Sequence, residues 1–202
     1  MNAAQFTSPV LTGAVVRLEP LDERHREGLL AVGLAPDIWR STIDRLETPS
    51  DLREWLERTL AEQAEGRSIP FATVEVASGR VVGSTRYGNI DAENRHVEIG
   101  WTWVAPDWQR TAVNTEAKYL MLRHAFEVWG CYRVELKTDV LNTRSRRAIE
   151  RLGAQQEGVF RRYQRTQGGR MRDTVMYSIL DSEWPDVKSR LERRLWEPPT
   201  AR

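Results

Sequence analysis

The hydrophobic positions along the chain change between a period of two and a period near 3.6 residues, and each change predicts a new element. Apolar and polar residues alternate in "AVVRLEPL", "IPFATVEVASGRVVGSTRYGNI", "RHVEIGWTWV", "YRVELKTDV", "GVFRRYQR" and "RDTVMYSIL", which predicts strands. Segments such as "SDLREWLERTLAEQAEG" carry an apolar stripe at helical spacing. The predicted order is strand, two helices, three strands, helix, strand, helix, two strands and helix. This order predicts an α/β (α+β) fold in which helices flank a mixed sheet.

Helix boundaries are marked by capping residues. Thr48 and Asp51 have the spacing of a capping box, and Pro49 occupies the first helical position. Asp22 is placed to cap the first helix, and Gly153 follows the short helix in "NTRSRRAIERLG". These signals predict where three of the helices begin or end.

The predicted elements leave no long linker, so a single domain is expected over residues 1–202. We expect a structured core over about 10–195 and a loose tail over 196–202. The strand–helix–strand unit from His96 to Val140 is expected to form a right-handed parallel crossover. Ligands of such folds bind beyond the carboxyl ends of the parallel strands, near the helix N-termini.

The segment "APDWQRTAVNTEAKYL" leads into a long predicted helix and has no acidic side chain between Trp108 and Thr115. A helix start carries unpaired N–H groups and normally attracts acidic residues. This helix start lacks acidic residues and has Arg110 beside it, which predicts an anion site. The alternative is an ordinary loop capped by Asn114 or Thr115. The segment lacks the glycines of a Walker loop or a dinucleotide fingerprint.

The composition of the chain limits the classes of partner and site that we expect. The 202 residues are 40% hydrophobic and 29% charged with a net charge of +1, which indicates no nucleic-acid or anionic-membrane surface. The single cysteine, Cys131, excludes an internal disulfide, and the three histidines lack metal-ligand spacing, so no metal is expected. We find no export signal and no apolar run near 20 residues, and therefore expect a cytoplasmic protein.

The residues from Val97 to Arg161 carry several linked motifs. The runs "VEIGWTWVAPDWQRTAVNTEAKYLMLRHAFE" and "YRVELKTDVLNTRSRRAIERLGAQQEGVFR" closely resemble the GNAT acetyltransferase superfamily, and within it the RimJ/RimL-type ribosomal-protein N-terminal acetyltransferases. "RLEPL" and "YSILDSEWPDVKSRL" extend the resemblance more loosely over nearly the whole chain. The resemblance implies a GNAT fold, in which adjacent parallel strands around residues 97–104 and 134–140 splay apart to admit acetyl-CoA as co-substrate.

The resemblance also implies a coenzyme site. The family's pyrophosphate loop, Q/R-x-x-G-x-G/A, falls on Gln109, Arg110, Thr111, Ala112, Val113 and Asn114, and Thr115 follows in the helix. The element "N-x-x-S/A", which contacts the pantetheine arm in the family, matches Asn142 and Ser145. Ala112 replaces a loop glycine, and an alanine is tolerated at this position if its φ is negative. Ile149 replaces a tyrosine thought to protonate the leaving thiolate, and Ser145 is the nearest substitute.

Acyl transfer to an amine needs a neutral amine, a polarised carbonyl and an exit for the thiolate. Glu98, a carboxylate within an apolar strand, is the predicted general base, directly or through a water. The alternative is that Glu98 faces outward or pairs with an arginine such as Arg95. His96 shares its face by strand alternation and is a lesser candidate. A backbone N–H near Trp103 or Val104 is predicted to polarise the thioester oxygen.

The acceptor is predicted to be a primary amine. Neutralising a lysine amine at pH 7 costs about 4.6 kcal/mol, whereas an α-amino group costs about 1 kcal/mol, so a protein N-terminus needs less help from a base. Specificity is expected from the loop Pro36–Glu47, with Trp39, Arg40 and Asp44, and from the hairpin tip Tyr163–Met171.

Several alternatives stay open. The acceptor is either a protein N-terminus or a small-molecule amine, and the donor is either acetyl-CoA or succinyl-CoA. A non-catalytic acyl-CoA sensor is an alternative to an enzyme, because Ala112 and Ile149 depart from the family pattern. A homodimer would be ordinary for this fold.

Overall fold

The computed structural model describes residues 6–197, which contain one eight-stranded sheet of order β1-β2-β3-β4-β5-β6-β8-β7. The strands are β1 (Leu11–Thr12), β2 (Val16–Pro20), β3 (Ser68–Glu75), β4 (Val81–Asp91), β5 (His96–Val104), β6 (Arg133–Asp139), β7 (Gln155–Arg165) and β8 (Met171–Leu180). The helices are α1 (Arg26–Gly33), α2 (Pro36–Trp39), α3 (Pro49–Ala64), α4 (Ala112–Arg123), α5 (Thr143–Leu152) and α6 (Trp184–Trp196). This mixed sheet with its flanking helices confirms the predicted fold class.

Two short elements are missing from the predicted order. β1 pairs Leu11 with Leu18 of β2, and two residues are too few to show any periodicity. α2 lies where a loop was predicted, and Pro36 occupies its first turn. A helix of four residues is shorter than the window in which apolar spacing can be recognised.

The C-terminal boundary also differs. Trp196, predicted to begin a loose tail, is the last residue of α6 and packs its ring edge-on against Tyr119, with centroids 5.1 Å apart. Residues 198–202 of the predicted tail lie outside the described residues.

The predicted capping signals are confirmed. Thr48 Oγ1 accepts a hydrogen bond from the Asp51 amide at 3.2 Å, and Asp51 Oδ2 accepts one from the Thr48 amide at 2.8 Å. Asp22 accepts a bond from the Arg24 amide in the turn that precedes α1. Gly153 follows α5 with φ of 102°, a conformation that costs glycine little.

The two central strands run parallel over a short distance only. β5 and β6 pair at three positions, the last of which joins Glu98 to Glu135. β5 continues to Val104 and β6 to Asp139 without further pairing between them. The sheet therefore splits at this point, and the predicted splaying of two adjacent parallel strands is confirmed.

Each face of the sheet carries its own apolar cluster. Leu136 and Val175 of the sheet belong to the same cluster as Val113 of α4, Ile149 of α5 and Leu191 of α6. The second cluster combines sheet residues with side chains of α1, α2 and α3, among them Leu29, Trp39 and Trp55. The split in the sheet consequently opens toward α4 and α5 on one face and toward α2 and α3 on the other.

A buried carboxylate fixes α4 to the first strands. Glu116 is fully buried and accepts hydrogen bonds from the amides of Ala14, Val15 and Val16 at 2.9, 2.7 and 2.7 Å. Gly13 leaves room for it, since a Cβ there would lie 2.4 Å from Glu116 Oε2. These contacts hold the start of α4 against the sheet.

Candidate active site

A cavity of about 600 Å³ occupies the split between β5 and β6 and extends to α4, α5 and the α2–α3 loop. Twelve of the site residues predicted from the sequence line it: Trp39, Asp44, Glu98, Trp103, Val104, Gln109, Arg110, Thr111, Asn114, Thr115, Asn142 and Ser145. The tertiary structure thus brings residues from four separate segments to one cavity.

Three predicted residues do not line this cavity. Arg40 is largely exposed, and its guanidinium pairs with Asp37 at 2.6 Å. Val113 points into the core with 1% exposure. Ala112 is exposed at the first position of α4, so only its backbone can serve the site.

The first turn of α4 contains no acidic residue, as the sequence indicated. Its N-cap is Thr111, whose Oγ1 accepts a bond from the Val113 amide at 3.3 Å, and neither Asn114 nor Thr115 caps it. The positive φ of this segment falls on Arg110, at 63°, and Ala112 avoids the conformation that favours glycine. The Asn114 Oδ1 atom is buried beside the cavity and has no hydrogen-bond partner among the described residues.

Arginines surround this end of the cavity. Arg110, Arg144, Arg151 and Arg194 line it, and the last three were not predicted. Arg144 Nη1 donates to Gln109 Oε1 at 2.7 Å, while Gln109 Nε2 donates to the Val104 carbonyl at 2.8 Å. The arginine-rich run "NTRSRRAIERL" is the signal that would have pointed to Arg144 and Arg151.

The start of α5 faces the same end. Asn142 is its N-cap, and Asn142 Oδ1 accepts a bond from the Ser145 amide at 3.0 Å. The spacing of the "N-x-x-S" element is therefore also that of a helix cap. Ile149, one turn further on, is 7% exposed and lies between the core and the cavity.

Glu98 lies at the point where the strands separate and is 3% exposed, so the alternative that it faces outward is wrong. Asn89 Nδ2 donates to Glu98 Oε2 at 2.6 Å, and Lys137 Nζ lies 2.9 Å from the same oxygen. Lys137 also lies over the rings of Trp101 and Tyr163, 5.8 and 5.6 Å from their centroids.

His96 is placed differently from Glu98. Its imidazole lies 3.3 Å from Asp91 at the start of β5, and it does not line the cavity.

Strand alternation orients the amides at the end of β5. The Ala105 amide donates to the Val82 carbonyl of the neighbouring chain segment at 2.8 Å. Successive amides in a strand point to opposite sides, so the Val104 amide points away from β4 and toward the split. Of the two amides predicted near the thioester, this alternation selects that of Val104.

Trp39 is a core residue rather than an exposed loop side chain. It is 6% exposed, its indole N–H donates to the Gly33 carbonyl at 2.7 Å, and its ring packs on Trp103 with centroids 5.5 Å apart. The Trp103 Nε1 atom is buried and has no hydrogen-bond partner within residues 6–197. Asp44, another predicted acceptor residue of this loop, pairs with Arg58 at 2.7 Å.

The two segments expected to select the acceptor are joined. The Gln167 amide of the β7–β8 turn donates to the Ile43 carbonyl of the α2–α3 loop at 3.1 Å. The Arg45 amide donates back to Gln167 Oε1. The hairpin tip is therefore bound to the loop that lines this side of the cavity, but none of the residues Tyr163–Met171 lines the cavity itself.

The profile of the acetyltransferase (GNAT) domain matches residues 16–155. The chain belongs to the GNAT acetyltransferase family. A GCN5-related N-acetyltransferase from Brucella melitensis is 33% identical, with a TM-score of 0.88 over 96% of this chain and 88% of that one. Mycobacterium smegmatis RimJ, solved in complex with CoA-disulfide, is 26% identical, with a TM-score of 0.72 over 92% of this chain and 91% of that one.

YdaF of Bacillus subtilis (strain 168), whose name proposes a ribosomal N-acetyltransferase, is 34% identical over 110 residues. The matched segment is 54% of this chain and 59% of YdaF. The family profile and these relatives make the protein an N-acetyltransferase, which decides between the enzyme and the sensor. GNAT acetyltransferases use acetyl-CoA.

This GNAT cavity also contains a lysine that the sequence did not reveal. Lys118 of α4 lines it, is 5% exposed, and donates from Nζ to Thr85 Oγ1 at 2.8 Å and to Thr102 Oγ1. Burial lowers the pKa of Lys118 from 10.5 to about 7. In the sequence it is one polar residue within the helical run "TEAKYLML", where a lysine is usually solvated.

Within residues 6–197, no group of three or more His, Cys, Asp or Glu side chains is arranged to hold a metal ion. None of the helices in that range combines the length and the apolar character needed to cross a bilayer.

Proposed function

We propose that the protein transfers the acetyl group of acetyl-CoA to a primary amine by direct attack within a ternary complex. The observation that carries this proposal is one continuous cavity, which joins the acid-free start of α4 to Glu98 through the split in the sheet. The coenzyme supplies an acetyl group activated as a thioester.

The residues at the α4 and α5 end suit the coenzyme. The amides of the first turn of α4, apart from that of Val113, which donates to Thr111 Oγ1, provide donors and the positive end of the helix dipole for a pyrophosphate. The guanidinium groups of Arg110, Arg144 and Arg151 add charges that suit phosphate oxygens. Asn142 and Ser145 line the path between this end and the split, where they contact the pantetheine arm.

Glu98 removes the proton of the acceptor amine, directly or through one water. Its carboxylate lines the cavity at the strand separation, and Asn89 and Lys137 fix the position of Oε2. Because Oε1 makes no hydrogen bond to another described residue, it is the oxygen that accepts the proton. A positioned base of this kind contributes about 10²–10⁴-fold to the rate.

The Val104 amide stabilises the negative charge that develops on the thioester oxygen during attack. A fixed backbone donor in a water-poor site costs no reorganisation at the moment of reaction. The leaving thiolate receives its proton from the Ser145 hydroxyl or from water, because Ile149 carries no titratable group.

For the acceptor, we propose an amine in the manner of the RimJ/RimL-type enzymes. The names of RimJ and YdaF support a ribosomal-protein N-terminus, and the low cost of neutralising an α-amino group supports it further. A small-molecule amine is the alternative within the same mechanism. We propose a cytoplasmic location, which accords with a ribosomal-protein acceptor. We also propose that the protein forms a homodimer, which sedimentation analysis tests.

Thermal unfolding with and without acyl-CoAs tests the coenzyme part of the proposal. At a hundredfold excess over Kd, acetyl-CoA is expected to stabilise the fold by about 2.7 kcal/mol, or roughly 5–10 °C in Tm. Succinyl-CoA and desulfo-CoA show which end of the coenzyme matters. Release of free thiol with a panel of amines tests transfer, and stabilisation without thiol release for any amine would contradict it.

A further inference from the structure

Arg172 of β8 is a buried cation without a carboxylate partner among residues 6–197. It is 4% exposed, lines the cavity, and its Nε donates to Thr174 Oγ1 at 3.1 Å. No carboxylate oxygen of the described residues lies within 4.0 Å of it. Arg86, which is equally buried, differs because its guanidinium meets Glu62 at 2.6 Å and Thr59 at 3.0 Å.

The carboxylates nearest to Arg172 are already engaged. Asp139 and Glu98 both attract its charge from a distance. Asp139 pairs with Arg170 and also accepts a bond from the Leu141 amide. Glu98 is held by Lys137. The guanidinium of Arg172 is therefore left with unused donors, and a buried charge in this condition is costly unless a ligand pairs with it.

Arg172 lies on the acceptor side of the sheet. β6 and β8 pair Asp139 with Thr174, and directly opposed residues of antiparallel strands project to the same face. Arg172 shares the face of Thr174 because it lies two residues away. Lys137, two residues before Asp139, shares this face as well and meets Glu98 there.

The coenzyme phosphates are not the partner of this guanidinium. The helices α4 and α5, which carry the proposed phosphate-binding groups, pack on the opposite face with Leu136 and Val175. Arg172 instead shares the cavity with residues of the α2–α3 loop, which is joined to the β7–β8 turn through Gln167. An anion that reaches Arg172 from this side belongs to the acceptor.

We propose that the acceptor carries a carboxylate that binds the Arg172 guanidinium while its amine lies at Glu98. This inference rests on the proposed acetyltransferase function and specifies its substrate class. The carboxylate is either that of a free amino acid or that of an acidic side chain near a peptide N-terminus. The guanidinium fork suits a carboxylate in a bidentate arrangement. Acceptors with additional positive charges, such as polyamines, are repelled by the same group.

The test compares kcat/KM for two matched pairs of acceptors. L-Phenylalanine and its amide report on the carboxylate of a free amino acid. Peptide amides that begin with Asp-Ala and Asn-Ala report on a side-chain carboxylate. Each pair is measured with wild type and with Arg172→Met, and the ratio between the two enzymes is taken. Differences in intrinsic amine reactivity cancel in that ratio.

At least one carboxylate acceptor is expected to lose about tenfold or more in Arg172→Met, through KM, while its neutral counterpart is little changed. Arg172→Lys retains part of the preference, because it keeps the charge without the fork. Arg161→Met, a change of an exposed arginine of the neighbouring strand outside the cavity, is the matched control and leaves the ratio unchanged.

Three outcomes are distinguishable. Turnover without a carboxylate preference, or an equal preference in Arg172→Met, overturns this inference and leaves the acetyltransferase proposal intact. If no acceptor of the panel turns over, Tm is measured with desulfo-CoA plus each acceptor. The inference then requires that a carboxylate acceptor raises Tm further in wild type and that Arg172→Met loses this additional shift. If no such shift is seen, the inference is overturned. Absence of any shift with acyl-CoAs overturns the proposed function itself.

Discussion

Lys137 Nζ lies 2.9 Å from Glu98 Oε2, across the point at which the two parallel strands separate. The pair joins β5 to β6 just where their backbone pairing ends. It places a carboxylate at the acceptor side of the cavity and balances its charge.

Glu98→Gln should leave the Tm shift with acetyl-CoA intact and lower kcat/KM by about 10²–10⁴-fold for lysine-type amines. Amines of lower pKa should lose less, because more of them are neutral without a base. Steady-state thiol release across pH 6–9 measures the effect. Glu135→Gln is the matched control, since Glu135 is the direct partner of Glu98 in the register but lies outside the cavity. Unchanged turnover with every acceptor would remove Glu98 from the mechanism.

Ala112→Asp should abolish the Tm shift with acetyl-CoA. The exposed side chain at the first position of α4 would set a negative charge against the pyrophosphate. The same charge suits the helix N-terminus, so the variant without ligand should be no less stable than wild type. Ala112→Asn has a similar volume without the charge and should retain most of the shift. A full shift in Ala112→Asp would show that the phosphates bind elsewhere.

Lys118→Met should be more stable than wild type at and below pH 7, by at least about 5 °C in Tm. The folded state holds this amine at a pKa of about 7, against 10.5 when it is unperturbed. Between these values the unfolded chain binds the proton and the folded chain does not, so wild-type stability rises with pH.

The difference between the pKa of Lys118 in the folded and the unfolded chain corresponds to on the order of 5 kcal/mol in the free energy of unfolding. The advantage of Lys118→Met is therefore complete below pH 7 and shrinks as the pH rises toward 10.5. The Thr85 and Thr102 hydroxyls lie 2.8 Å apart, so they are expected to stay hydrogen-bonded to each other in the variant. Urea unfolding from pH 6 to 9.5 measures the difference, and parallel curves for the two proteins would contradict the prediction.

Glu116→Gln should destabilise the fold by at least about 2 kcal/mol, which is roughly 4–8 °C in Tm. The carboxylate accepts three backbone bonds from residues 14–16, whereas an amide has one oxygen and directs its own N–H groups at those donors. Glu192→Gln is the control, because its single bond to Tyr119 tolerates an amide oxygen. Equal Tm values for the two variants would contradict this account of the contact.

The sequence by itself determined the local elements and the family. The Thr48–Asp51 capping box, the alternation of β5 and the acid-free start of α4 are patterns within a few residues, and backbone geometry translates such patterns directly into structure. The motifs from Val97 to Arg161 likewise indicated the GNAT fold and its split sheet. The elements β1 and α2, of two and four residues, were not predicted, because no period can be recognised in so few positions.

Only the tertiary structure decided which side chains share the cavity and what charges they meet. Lys137 meets Glu98 because of the β5–β6 register, and Arg172 reaches the same face through the pairing of β6 with β8. Trp39 is buried, although the sequence placed it in a loop expected to select the acceptor. Such contacts join residues that are far apart in the chain, and burial and electrostatic pairing depend on that approach rather than on local sequence.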